Sequence, residues 1–354
     1  MSSGIFCEGV WLKVVMDDSE RKSRVAGCLF GLALGDAFGA PTEFLSIDEI
    51  VRRGPVELTG DTFRVTDDTQ MALAVGEALA EAVAARDLSP GSLERRLRAA
   101  FVEWLNSPDN DRAPGMTCLK ACENLEAGLD WMEATISHSK GCGANMRVAA
   151  VGLLTSEDHG AGEDVRAAIA QFQAALTHAH PTALAASDLT AFTVARLAAG
   201  IELASLTEAV RNYAHSQREV YHADWLGELW RRPGVSSPEE FIARGWDECL
   251  SILDRLDEAL AAPDRGADPC LWTGQGWVAE EAFATGLLCF LIYPDSPRRA
   301  LRRAAVTSGD SDSIACLTGA FAGAHFGVDC WPADWLQKIE YRGRLASLAN
   351  ELSK

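Results

Sequence analysis

Glycine recurs at every fourth position in Gly27, Gly31, Gly35 and Gly39, and again near the other end of the chain in Gly319, Gly323 and Gly327. On an α-helix that spacing puts the glycines on one face. A face without side chains lets a second backbone approach closely. The pattern is not a dinucleotide-binding fingerprint, because no strand precedes it and no G-x-G-x-x-G is present. If the two helices pack on their small faces, the flanking segments carrying Asp36 and Glu43 come within reach of those carrying Asp310 and Asp312.

Those flanking segments hold most of the chemistry. Arg64-Val-Thr-Asp-Asp-Thr-Gln70 and Gly309-Asp-Ser-Asp-Ser-Ile-Ala315 each place two carboxylates and hydroxyl residues in a few positions. Burying an unpaired carboxylate is expensive, so such groups are exposed, paired with cations or bound to metal. Oxygen-only ligands from Asp, Ser and Thr suit a hard cation such as Mg²⁺ or Mn²⁺ and suit zinc poorly. Helix capping is the competing reading. Thr66 and Asp67 precede the helical run Met71–Ala80, and Gly309-Asp-Ser-Asp precedes the apolar run Ile314–Phe326. Acidic first turns are ordinary helix starts. Taken singly, each cluster fits either reading. Together they repeat one layout, an acidic loop followed by a small-residue helix, which favours two clusters that meet and hold ions.

The rest of the chain narrows the setting. Its 354 residues can bury a large core, and 48% hydrophobic with 23% charged residues is the composition of a soluble globular protein. No apolar run reaches the roughly 18 residues of a membrane span. The N-terminus lacks the basic start and apolar core of a signal peptide, so a cytoplasmic location is expected. Ten cysteines are scattered without C-x-x-C spacing, which fits buried thiols in a reducing compartment better than a disulfide framework. A net charge of −19 argues against direct nucleic-acid binding.

Apolar residues recur at helical spacing in 93–105, 165–176, 184–203 and 238–260, and strand-type alternation is nearly absent. Arg298–Arg303 reads as the solvated face of a helix. The expected architecture is one all-α domain over residues 20–354, since no long linker divides it and the acidic clusters must meet. Residues 1–19 stand apart as an N-terminal extension, in which Ile5, Phe6, Trp11 and Leu12 precede a charged stretch. It is either a loose terminus or an arm that contacts a partner.

Four motifs in order resemble the ADP-ribosylglycohydrolase family, of the dinitrogenase-reductase-activating type. They are Gly31-Leu-Ala-Leu-Gly-Asp-Ala-Phe-Gly-Ala-Pro-Thr-Glu-Phe44, Thr66-Asp-Asp-Thr-Gln-Met-Ala-Leu73, Gly141-Cys-Gly-Ala-Asn-Met-Arg147 and Gly309-Asp-Ser-Asp-Ser-Ile-Ala315. Weaker matches are Thr177-His-Ala-His-Pro181 and Gly274-Gln-Gly-Trp-Val278, and the resemblance spans roughly residues 24 to 327. It implies an all-α orthogonal multi-helix fold with two Mg²⁺ ions in a cleft. By motif position, Thr66, Asp67, Asp68 and Asp312 would hold one ion, and Asp310, Asp312 and Ser313 the other. Glu43 matches the family's acidic residue near the metals and the substrate ribose. With Asp67 and Asp312 it forms the expected catalytic set.

The Gly141-Cys142-Gly143-Ala144-Asn145-Met146 loop has a physical argument of its own. Two glycines let a loop wrap tightly, with its amides aimed at phosphate oxygens just before a helix starts; a simple turn is the alternative. Arg147 either meets the diphosphate or pairs internally with a carboxylate, the internal role being favoured. The resemblance puts ribose or diphosphate contacts near His178, while His180 is equally readable as structural. Trp277 stands where relatives often carry Tyr, which keeps an aromatic wall and loses a hydroxyl. Ser313 replaces Thr or Asn. The substrate-side Asp of arginine-specific relatives has no clear counterpart, although Asp109 and Asp111 lie close by.

Together these features lead to an expected Mg²⁺-dependent hydrolase that removes ADP-ribose from a modified protein side chain, most readily arginine. Serine-linked or free ADP-ribose conjugates are alternatives within the same chemistry. From another class comes an immunity protein that binds an ADP-ribosylating toxin through residues 1–19. A crystallin-like structural role ranks last, because the metal ligands persist.

Overall fold

A computed structural model describes residues 17–261 and 264–354, so the N-terminal arm falls almost wholly outside the described residues. Asp18 and Ser19 already belong to the first helix, Asp18–Gly39. Asp17 caps it by accepting from the Glu20 amide at 2.7 Å, and acids fill its first turn, which favours the positive end of the helix dipole. Among the described residues every regular element is helical, and β pairing is confined to isolated bridges such as Ile136 with His178 and Gly141 with Val278.

The glycine faces meet as their spacing requires. Helix Asp18–Gly39 lies antiparallel against helix Ser311–Phe326. A Cβ on Gly27 would stand 2.4 Å from the Gly323 carbonyl oxygen, one on Gly31 2.2 Å from that of Gly319, one on Gly35 1.9 Å from that of Ala315, and one on Gly39 2.3 Å from that of Ser311. Backbone therefore touches backbone along four turns. A methyl group at any of these sites would force the pair apart, and overpacking of that kind costs about 1–3 kcal/mol or more.

Other helices enclose this pair. Helix Ala279–Leu291 packs behind Ser311–Phe326, with the Thr318 hydroxyl 2.9 Å from the Gly286 carbonyl. Helix Pro238–Ala261 crosses the start of helix Pro181–Ala198 so closely that a Cβ on Gly245 would fall 2.2 Å from the Pro181 oxygen. The apolar periodicity of 184–203 overruns the observed helix, which ends at Ala198 because Gly200 takes a left-handed conformation. Arg298 and Arg302 lie on the exposed face of helix Pro297–Ala304. The described cysteines are free, and nearly all are buried. Among the described residues no helix is long and apolar enough to cross a membrane.

Candidate active site

The site opens where the glycine seam ends. Gly39 rides on Ser311, so the segment after the first helix is delivered beside the start of Ser311–Phe326. The Thr42 hydroxyl fixes that segment, lying 2.6 Å from the Ala305 carbonyl and 3.0 Å from Ser311 Oγ. Asp36, in the last turn of the first helix, is fully buried and reaches the third segment. Its carboxylate accepts from the Thr66 and Thr69 amides at 2.9–3.1 Å and from the Thr69 hydroxyl at 2.5 Å. A fourth loop closes the other side, where the Asp310 amide donates to the Gln275 carbonyl at 2.8 Å.

Glu43, Asp310 and Asp312 each offer a carboxylate oxygen within 4.8 Å of the other two. With Asp67, Asp68 and Ser313 they line a cleft of about 330 Å³ among whose lining residues there is no Lys or Arg. Thr66 lies just behind, accepting from the Asp68 amide at 3.4 Å. Burial, reinforced by the charge of Asp312, pushes the Asp67 carboxyl up to about 8 and Glu43 to about 9. The same causes raise Asp68 and Asp310 well above the carboxylate range, and burial raises Asp312. Asp36 rises to about 7 by burial and by Asp312.

Capping alone does not account for this arrangement. Thr66 does cap helix Asp67–Ala84 through its side chain, but Asp310 makes no side-chain cap bond to Ser311–Phe326. Asp68 Oδ2 is buried without a hydrogen-bond partner among the described residues. An orphaned buried carboxylate oxygen among like charges fits a bound cation. The oxygen-only donor set fits a hard divalent ion.

The opposite wall is built from the glycine loop. Gly141, Cys142, Gly143, Met146, His178 and Trp277 line the cleft, whereas Ala144 and Asn145 are fully buried beneath it. Asn145 ties the loop down by donating to the Ala279 carbonyl at 2.9 Å, so these two residues support the wall without forming its surface. The glycines make room for a ring: a Cβ on Gly143 would stand 3.1 Å from His178 Cε1 and 2.7 Å from Cys118 Sγ. Several loop amides are already used, Cys142 donating to the Trp277 carbonyl and Asn145 and Met146 to the Cys142 carbonyl. His178 is held neutral by burial and by nearby Arg147, its Nδ1 lying 2.8 Å from the Thr177 hydroxyl.

Four neighbouring residues are also placed. Arg147 is internal, as favoured, but its partners are not carboxylates. It donates to the Gln173 side chain and carbonyl and to the Thr177 hydroxyl at 2.7–2.8 Å, and stacks over Phe101. His180 caps helix Pro181–Ala198 by accepting from the Thr182 amide at 3.2 Å. Neither Asp109, which accepts from the Tyr341 hydroxyl, nor the exposed Asp111 lines the cleft.

Sequence reasoning left Asp36, Phe44 and Met116 outside the site set. Asp36 carried a usable signal, a carboxylate inside an otherwise apolar, glycine-studded helix. Phe44 and Met116 line the cleft and are among the most exposed large apolar residues of the protein. Nothing in their local sequence announces that.

Comparison with known proteins agrees with the fold and with the family resemblance. The family model described as ADP-ribosylglycohydrolase matches residues 17–354. The chain is 26% identical to the ADP-ribosylarginine hydrolase Tri1 of Serratia proteamaculans, over 97% of this chain and 83% of that protein. It is 24% identical to the ADP-ribosyl-[dinitrogen reductase] glycohydrolase of Rhodospirillum rubrum, over 90% and 91%. It is 27% identical to human ADP-ribosylhydrolase ARH3, over 94% and 93%. A solved structure, an ADP-ribosylglycohydrolase-related protein complex, superposes with a TM-score of 0.61 at 22% identity, covering 95% of this chain and 98% of that one, which is a likeness of fold.

Proposed function

This chain belongs to the ADP-ribosylglycohydrolase family, and on that footing we propose that it is a Mg²⁺-dependent hydrolase that releases ADP-ribose from modified arginine side chains. The observation that carries the reading is the convergence of Glu43, Asp67, Asp68, Asp310 and Asp312 in one cleft with no Lys or Arg among its described lining residues. Thr66, Asp67, Asp68 and Asp312 would hold one divalent ion, and Asp310, Asp312 and Ser313 a second. Mn²⁺ offers the same coordination chemistry. Bound there, the ions would supply Lewis-acid polarisation and a lowered pKa for a water held at the site.

The chain's own residues supply the rest. With the charge of Asp312 and Asp67 offset by the cations, Glu43 would be ionised, and from the lip of the cluster it orients a water toward C1″ of the ribose and takes its proton as the bond to the guanidine nitrogen breaks. The bonding electrons leave with that nitrogen, which takes up the proton held by Glu43, so that arginine is released and the carboxylate is restored. Positive charge developing at C1″, as in glycoside cleavage generally, is favoured by the surrounding carboxylates. Gly141, Gly143, Met146 and His178 form the wall along which the ribose and diphosphate lie.

The relatives' names do not decide the linkage, since identity to the arginine hydrolase and to ARH3 is nearly equal. The mouth favours a cation. Trp277 presents an exposed aromatic face there, and such a face attracts a guanidinium. The test is a pair of peptides carrying ADP-ribose on arginine or on serine, treated with the protein in Mg²⁺ or in chelator and read by mass spectrometry. The arginine peptide is expected to lose its ADP-ribose in Mg²⁺ alone. Release from serine only would overturn the linkage, and release in chelator would overturn the metal.

A further inference from the structure

Phe44 combines features that rarely coexist. Its φ is +64°, a region that L side chains with bulk seldom adopt. The residue is 67% exposed, yet its ring stacks on Trp277 with centroids 5.4 Å apart and planes 18° apart. A strained backbone that carries an exposed aromatic ring points to a role at a functional site.

The chain on either side is firmly held. Thr42 is locked to Ala305 and Ser311, and Ser46 forms a capping box with Glu49, its amide donating to Glu49 Oε2 at 2.9 Å. Between these anchors stands Glu43, whose carboxylate faces Asp310 and Asp312. Like charges push it outward. The ring of Phe44 grips the far lip of the cleft by stacking on Trp277. Trp277, the surface it grips, is itself fixed where its carbonyl accepts from Cys142 at 3.1 Å. The stack therefore joins the Glu43 segment, the 274–278 loop and the glycine loop.

We propose that Phe44 is a positioning residue, clasped on Trp277, that holds Glu43 over the carboxylate cluster. The inference rests on the hydrolase reading above for what Glu43 does there, while the clasp itself rests on geometry alone. A residue acting through another gives a signature in a double-mutant cycle, because its loss matters only while its partner is present.

The experiment compares Phe44→Ala, Phe44→Tyr, Glu43→Gln and the double variant, by steady-state ADP-ribose release in saturating Mg²⁺ and by hydrogen exchange of residues 40–46. Phe44→Ala is expected to lower kcat about tenfold with KM changed less than about twofold, the pattern of an interaction needed in the transition state. It should also speed amide exchange at Leu45, whose amide donates to the Thr42 carbonyl at 3.1 Å. Phe44→Tyr keeps the stack and should restore both readouts. On the Glu43→Gln background, Phe44→Ala should change kcat less than about twofold. Losses that multiply, or an alanine variant that keeps wild-type turnover and exchange, would overturn the clasp. A wild-type protein that releases no ADP-ribose would defeat the hydrolase reading instead, and the exchange arm would still decide whether Phe44 orders the segment.

Discussion

Helices Asp67–Ala84 and Ser311–Phe326 begin with the same kind of sequence, a short acidic stretch with hydroxyl residues, and hold their first turns differently. At the first, side chains do the holding: Thr66 accepts from Asp68, and buried Asp36 accepts from the Thr66 and Thr69 amides. At the second, the backbone does it. The Asp310 amide donates to Gln275, and the Ser311 carbonyl packs against Gly39, while Asp310 itself makes no side-chain cap bond. The carboxylate of Asp310 is thereby left to face the cleft, and that of Asp312 faces it while also accepting from the Ser313 amide at 3.1 Å. Whether an acid at a helix start serves as cap or ligand depends on what else has already satisfied the first turn.

Removing Asp310 should break this contrast most visibly. Asp310→Ala is expected to cost roughly 100-fold or more in ADP-ribose release, the scale of losing a group preorganised around developing charge. In chelator its melting temperature should hold steady or rise, because one of several crowded like charges is gone. A melting drop in chelator of the size of a lost cap, about 1 kcal/mol, with release intact would return Asp310 to a capping role.

The second effect is a pH slope. The folded-state carboxyls of Asp36, Asp67 and Glu43 lie at about 7, 8 and 9, against roughly 4 in an unfolded chain. Between those values the folded state binds more protons, so stability present below about pH 4 is lost as the pH rises toward 9. In chelator the protein should therefore melt at progressively lower temperature from about pH 5 to about pH 9. Mg²⁺ should stabilise it increasingly over the same range, since binding favours the ionised forms. Thermal melts with and without Mg²⁺ check this. A flat or rising curve in chelator would mean that the cluster is not strained by its own charge.

The smallest effect sharpens the other half of the comparison. Thr69→Val removes the hydroxyl that donates to Asp36 and leaves the shape nearly unchanged. It should cost about 1–2 kcal/mol in chemical denaturation, with a smaller loss of turnover than Asp310→Ala. A neutral Thr69→Val would show that the two amides alone hold Asp36.

Much of this was legible because it was local or periodic. The four-residue glycine spacing foretold that two helices nearly three hundred residues apart would touch backbone to backbone, and the carbonyls of Gly319 and Ala315 now occupy the spaces where Cβ atoms would stand. The paired acidic clusters foretold a shared cleft, because so much charge has few other places to go. The tertiary structure alone decided the assignments within it. Ala144 and Asn145 share a motif with Gly143 and Met146 yet lie under the wall, because the loop's short 3₁₀ turn, Cys142–Ala144, and the Asn145 bond to Ala279 turn them inward. His178 and His180 stand two positions apart, yet one faces the cleft and the other caps a helix. Phe44 meets Trp277 across more than two hundred residues of chain. Spacing can place residues on a helix face, because that geometry repeats with the backbone. Which of two neighbouring side chains meets a distant loop depends on packing from the rest of the fold, and local sequence carries no record of that.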